Sequence, residues 1–252
     1  MRALLISGLL LFSSVSVWAG GEKYHVSLML SPSAEWMRFS NSINAKTYNA
    51  LWGTKISQNF GFEYKRFFDP SLSLSFGAMY SNKGFRNEIF GTNDLGLPTQ
   101  EVVGITLFSA HMVSIPLALN IHHRISRKLS LDFSLGASAG YIFSEIARNK
   151  YYSDETNPEQ GFWDLSEGRS NINILQDWYA GAHAGVGVSV YVKSRMVLGI
   201  QPTYRMQLNN ARDYLGSFSS SDPFVARLNS FGLDVKIGYF FSKQIKDRKD
   251  KF

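Results

Sequence analysis

Cysteine is absent from the 252 residues, which excludes disulfides and any thiolate metal site in an oxidising compartment. Long apolar runs are missing too. Past the amino terminus, none reaches the ~20 residues that a membrane-crossing helix needs. A membrane protein of this composition spans as a closed barrel or not at all. Phosphate-binding glycine loops, dinucleotide fingerprints and paired carboxylates in a plausible cleft are also lacking. The basic surplus, 26 Lys and Arg against 20 Asp and Glu, gives a net charge of +6. It is not gathered on one patch but lies in 243–251 and in the connections 122–128 and 193–195. That distribution speaks for solvated strand ends and against nucleic-acid binding.

What the chain does have begins with a leader. Met1-Arg2 is positive, 3–17 is apolar or small, and Val17-Trp18-Ala19 is a small-residue cleavage site. The stretch is short for a membrane span and reads as a signal peptide over residues 1–19. Aromatic residues are abundant at 14%, as the two interface girdles of a membrane barrel require.

The segment 230–241 shows the pattern of the rest. Phe231, Leu233, Val235, Ile237, Tyr239 and Phe241 alternate with Ser230, Gly232, Asp234, Lys236, Gly238 and Phe240. Side chains alternate across a strand, so one face is apolar and the other mostly polar or small. Similar patterning marks about eight segments: 24–31 (ended by Pro32), 54–66, 72–81, 102–122, 129–143, 177–193, 196–208 and the closing strand. Expected long loops at 32–53, 82–101, 144–176 and 209–227 alternate with short turns near 67–71, 124–128 and 193–195. Outer-membrane barrels have short periplasmic turns and longer outer loops. The expected fold is therefore an all-β, antiparallel up-and-down transmembrane barrel over 20–241, with a charged periplasmic tail, 242–252. An even strand number places both termini in the periplasm. Pro116 is an irregularity, because proline donates no ladder hydrogen bond.

The strand Val113-Ser114-Ile115-Pro116-Leu117-Ala118-Leu119 resembles the "L-E-I-P-L-L" strand typical of the PorT-type outer-membrane β-barrel family. Gly136-Ala137-Ser138-Ala139-Gly140, the Gly/Ala rhythm of 181–188 and Gly238-Tyr239-Phe240-Phe241 are similar to other parts of it. Ser114 stands where an acidic residue is common, and a basic tail follows the terminal aromatic. The resemblance covers about the whole mature chain. It implies a barrel in the outer membrane of a Gram-negative cell envelope and, by analogy, an accessory role in protein export.

Three groups of residues are candidates for function. The inner face carries Glu63, Lys65, Asp132, Arg205, Asp234 and Lys236, together with His25, His183, Tyr179 and Tyr191. The lumen of a barrel of about eight strands is just wide enough for side chains to fill it. Such charges must pair, so a lumen charge network is expected, with an ion path as the alternative. Asp234 and Lys236 are neighbours on one face and should lie near His25 and Ser27. On the outer side of the fourth strand, Ser109 and His111 share a face. With the hairpin turning near residue 125, Glu145 falls outward by parity, one diagonal step from Ser109. A serine, a base and an orienting carboxylate activate a hydroxyl, and a rim set of this kind resembles lipid A deacylases, although the order Ser-x-His is reversed. This is the enzyme alternative, a lipid A-modifying serine hydrolase. Third, Tyr151, Tyr152, Phe162 and Trp163 lie among charges in the longest loop, as interface hot spots do; a lid packed on its own side chains is the alternative. His122-His123 has no cysteine or carboxylate nearby in sequence, so no metal is expected, and no cofactor either. The expected protein is a non-enzymatic, monomeric barrel of structural or interaction type. Its partners are outer-membrane lipid and a protein met through the outer loops or periplasmic turns.

Overall fold

A computed structural model describes residues 23–40, 52–92, 98–151, 168–171, 177–192, 195–209 and 225–241. The expected signal peptide and charged tail lie outside them. In chain order the strands are β1 Lys23–Ser40, β2 Trp52–Gly53, β3 Lys55–Asp69, β4 Leu72–Thr92, β5 Pro98–Arg124, β6 Leu129–Tyr151, β7 Gly168–Asn171, β8 Trp178–Val192, β9 Met196–Gln207 and β10 Val225–Phe240. Eight long strands make the wall. All neighbours are antiparallel in the order β4-β3-β1-β10-β9-β8-β6-β5, and the β4–β5 pairing closes the ring. Closure leaves no unpaired edge, which the hydrocarbon of a bilayer demands. The turn after β3 is pinned by Asp69, whose carboxylate accepts from the Ser71 amide and hydroxyl, each at 2.6 Å. Those bonds hold the Asp69 carboxyl below its usual range.

Several strands run further than alternation suggests. β1 passes through Pro32 to Ser40, β4 reaches Thr92, β5 starts at Pro98 and β6 continues to Tyr151. The expected loops at 32–53, 82–101 and 144–176 are thus partly wall. Crossing a bilayer takes ~9–11 tilted residues, so the 27 residues of β5 overshoot it by far. β2 pairs with β4 and β7 with β6 on the overshooting part, making a five-stranded extension β2-β4-β5-β6-β7.

Prolines leave seams in this wall. The ladder between β4 and β5 pairs Phe76 with Leu117 and resumes at Met79 with Ser114, skipping the two rungs at Pro116. Pro32 leaves the same two-rung gap towards β10, and Pro202 leaves one towards β8. Proline lacks the N–H that would bridge there. Each keeps its pairing on the other side, so the wall stays continuous.

The two faces carry opposite chemistry, and the assignment inverts along the barrel axis. In the lower part, the outside shows Leu28, Leu30, Ile115, Leu117, Leu135 and Ile237, all exposed. The inside there holds buried Ser27, Ser73, Ser75, Asn120, Ser130 and Asp234. From Phe231 to Phe241, ten residues at ~3.3 Å each and a tilt of ~40° cover about 25 Å, the height of a lipid-facing band. Aromatics edge that band. Phe60 opposite Tyr80, Tyr141 opposite Trp178 and Tyr204 opposite Phe231 form the upper girdle, with Tyr141 and Trp178 edge-to-face at 5.6 Å. Above the girdle, Asn82, Ser109 and His111 face out, while Met37, Phe85, Phe108, Ala110, Met112, Ile142, Ala226 and Leu228 pack inside. The upper barrel is built like a water-soluble one, polar outside and apolar within.

Candidate functional site

Alternation places lysines, arginine and carboxylates of the lower half in the lumen, and burial requires them to find partners. Glu63 lies between two lysines: Lys236 Nζ donates to Oε2 at 3.2 Å and Lys65 Nζ is 3.5 Å from Oε1. Arg205 meets Asp234 at 2.5 Å, and Thr203 Oγ1 donates to the other oxygen of the same carboxylate at 2.8 Å. Asp234 therefore engages Arg205, not its strand neighbour Lys236, because Lys236 reaches over β1 to Glu63. Met29 is the rung partner of Lys236, and His25 packs tilted against its rung partner Phe240 at 4.8 Å, over Gly238, where any Cβ would meet the imidazole, and lines one small cavity with Lys65 and Lys236.

Asp132 is held by three groups. His122 Nδ1 is 2.8 Å from Oδ1, Ser130 Oγ donates to the same oxygen at 3.0 Å, and Ser189 Oγ donates to Oδ2. The carboxylate only accepts, so it fixes the proton on His122 Nδ1, and Nε2 faces Ser73 Oγ at 2.8 Å. Ser73, His122 and Asp132 thus reproduce the hydrogen-bond order of a nucleophilic triad. The Ser73 side chain is 0% exposed, however, and Phe67 covers the imidazole at 5.0 Å between ring centroids. No substrate carbonyl reaches that hydroxyl in this packing, and the array ties β4, β5 and β6 together. Sequence reading missed it. The signal was present: parity puts His122 inward and the β5–β6 register sets it opposite Asp132, whereas His123 faces out. Among the described residues no group of three or more His, Asp or Glu could hold a metal ion.

The upper half has its own polar members. Lys83 Nζ donates to Tyr179 Oη at 2.9 Å and lies 4.3 Å from the centre of that ring. Glu35 accepts from Ser33 Oγ at 3.0 Å and from the Gly84 amide at 2.8 Å. That amide needs a partner because the β3–β4 ladder stops at Asn59 and Ser81, and β2 resumes only at Arg86. Around these groups the apolar cluster closes the bore, Phe85 stacking on Phe108 at 4.7 Å. Two cavities interrupt the interior, one of about 40 Å³ between Glu63, Arg205 and Tyr179 and one of about 20 Å³ beside His25 and Lys65. At ~10–15 Å³ per water centre, they have room for a few waters.

The rim set is not assembled as expected. The hairpin pairs Arg124 with Ser130 and His122 with Asp132, so it turns further along than residue 125. A bulge at Phe143 then shifts β6 by one residue and pairs Glu145 with Ala110, whose side chain is 0% exposed inside the barrel. Glu145 is buried on that inner side, while Ser109 and His111 remain on the outer one. Ser109 Oγ accepts from Lys55 Nζ at 2.8 Å, and His111 Nδ1 lies 2.6 Å from Tyr80 Oη. Tyr152, Phe162 and Trp163 fall outside the described residues; Tyr151 is placed only as the rung partner of Gly104.

A closed eight-stranded barrel, apolar outside between aromatic girdles and polar within, defines an outer-membrane β-barrel protein. The chain belongs to the outer membrane protein beta-barrel domain family, whose model matches residues 22–211. Among solved structures, it is similar to Ail, the attachment invasion locus protein of Yersinia pestis, crystallised with the heparin analogue sucrose octasulfate, with 13% identity, 87% of this chain and 99% of that one covered and a TM-score of 0.34. It is also similar to the outer membrane protein OprG from Pseudomonas aeruginosa, at 11% identity, 88% and 97% coverage and 0.42. Neisserial surface protein A gives 12%, 85% and 96%, and 0.41. No curated protein sequence matches the chain.

Proposed function

We propose that the protein is a non-conducting, non-enzymatic outer-membrane barrel that works through its protruding wall, as an interaction platform for another protein. One observation carries this reading. The bore is filled twice over, by a charge-paired polar layer below and an apolar core above, while the strands β4, β5 and β6 continue well past the lipid band. A filled bore gives solutes no aqueous path, so what remains for function is the surface. The extension β2-β4-β5-β6-β7, with the aromatic-rich segment between β6 and β7, faces the cell exterior, and both chain ends lie in the periplasm. The PorT-like strand around Pro116 supports an export-linked partner within this reading.

Conductance and capture test it together. Reconstituted protein gives no steady single-channel currents in planar bilayers. Shortening the segment between Tyr151 and Gly168 leaves heat-modifiable gel mobility intact and removes a partner that co-purifies from native membranes. Steady channels, or partner capture indifferent to the shortening, would overturn the platform reading.

A further inference from the structure

One end of the barrel holds the whole charge surplus. Its turns and the chain ends beside it (20–24, 66–72, 122–128, 193–195 and 242–252) contain twelve Lys and Arg against four Asp and Glu. The remainder of residues 20–252 has 13 against 16. Along the chain these cations are scattered, but the ring sets two of the turns side by side. The Tyr191 amide donates to the Lys128 carbonyl at 2.8 Å, which ties the β8–β9 connection to the β5–β6 turn. The Phe240 amide donates to the Arg195 carbonyl at 2.8 Å, which brings in the end of β10. Arg124, Arg127, Lys128 and Arg195 thus line one arc of the lower mouth, and all four are exposed.

The groups these cations meet are neutral. Arg124 donates to the Arg127 carbonyl at 3.2 Å and lies 5.8 Å from the centre of the Tyr191 ring. Arg195 donates to Tyr239 Oη at 3.0 Å. Asp69 accepts from Ser71 in the β3–β4 turn, and Asp132 is bound inside the lumen by His122, Ser130 and Ser189. Among the described residues, none of the four cations forms an ion pair. Like charges crowded on one rim repel each other, and an anionic partner relieves that repulsion. An apolar residue stands in their midst. Ile125 is 57% exposed at the tip of the turn. The exposed His123 separates it from the lipid-facing row that ends at Ile121. The tip is also rigid, because the amides of Ile125 and Ser126 both donate to the Leu129 carbonyl, at 3.0 and 3.1 Å. A preorganised aliphatic side chain flanked by arginines suits a polypeptide, where buried apolar and arginine contacts carry binding. We infer that the β5–β6 and β8–β9 turns form a second docking face, for an acidic segment of a periplasmic protein that seats an aliphatic side chain on Ile125. Its periplasmic side rests on the orientation proposed above.

The probes are a labelled peptide of alternating glutamate and leucine and its glutamate–glycine counterpart, added to the full chain in phosphatidylcholine nanodiscs. The wild-type protein binds the leucine peptide about tenfold more tightly than the glycine one, after subtraction of empty nanodiscs. Arg127→Gln/Lys128→Gln/Arg195→Gln weakens both about tenfold. Ile125→Ser abolishes the preference between them, and both variants keep heat-modifiable mobility. No binding above empty nanodiscs, unchanged binding by the triple variant, or an unchanged preference in Ile125→Ser would overturn the face. Native mass spectrometry covers the headgroups: retention of phosphatidylglycerol over phosphatidylcholine that the triple variant loses would assign the turns to lipid and overturn it too. None of these readouts depends on orientation or on the outer segments. Protease added to intact cells tests the side separately, and cleavage within 242–252 would overturn the periplasmic placement alone.

Discussion

The lower and upper halves of the bore occupy the same inner face of the same strands, yet they are filled by opposite means. Below the upper aromatic girdle, three cations (Lys65, Arg205, Lys236) balance three carboxylates (Glu63, Asp132, Asp234), with serines, a threonine and His122 completing the carboxylates' bonds. Above it, Phe85, Phe108, Met112 and Leu228 form a small hydrophobic core around one lysine, Lys83, and two glutamates, Glu35 and Glu145. The environment outside explains the difference. Where lipid surrounds the wall, apolar residues gain nothing by turning inward, so the lumen receives the polar set. Where water surrounds it, burying apolar area drives packing, and the ordinary rule of soluble proteins returns. The change of rule locates the membrane edge.

The sharpest way to break this comparison is to cut one partner from the lower half. Asp234→Ala leaves Arg205 buried with no carboxylate against it, and removing one member of a buried pair costs roughly 3–5 kcal/mol. We expect a loss of about 4 kcal/mol in urea unfolding from lipid vesicles. The double change Arg205→Met/Asp234→Leu removes both charges and should restore stability to within about 1 kcal/mol of the wild type. A double variant as unstable as the single one would mean that the ion pair itself, and not the orphaned charge, holds the lower half.

The upper half should answer differently. Phe108 is 1% exposed and stacks on Phe85, so Phe108→Ala opens a cavity at a cost of about 3 kcal/mol. Here a polar replacement offers no rescue: Phe108→Gln should be at least as destabilising, because the amide finds apolar neighbours. A Phe108→Gln barrel as stable as the wild type would show that the upper bore is wet.

Period-two alternation was enough to read the closed barrel, and it also put Glu63, Lys65, Asp132, Arg205, Asp234 and Lys236 on one face. Alternation does not say who pairs with whom. Lys236 and Asp234 look like partners two residues apart, but Lys236 crosses a whole strand to Glu63. The upper half was illegible for a different reason. Phe85, Phe108 and Met112 keep the inward phase of their strands, yet an apolar residue in the polar phase reads as the end of a strand unless the membrane boundary is known. Glu145 shows the third limit. A single bulged residue at Phe143 turned it inward, and no composition or spacing announces a bulge.

The smallest effect concerns the seams, which separate the lower half from a perfectly laddered cylinder. Pro116 faces Gly77 across two missing rungs of the β4–β5 ladder, in a membrane segment where unsatisfied backbone groups are costly. Its side chain is directed into the bore beside the larger cavity. Replacing it by valine supplies the absent N–H and a β-branched side chain suited to a strand. The new hydrogen bond is worth about 1 kcal/mol, offset in part by the greater freedom of the unfolded chain once the ring is removed. Pro116→Val should therefore stabilise by about 0.5 kcal/mol and slow amide exchange at Ala78 and its neighbours, with exchange elsewhere unchanged. If exchange there stays fast, the two rungs are held apart by Gly77 and the packing of β3 against it, and the proline is a passenger at a gap made by its neighbours.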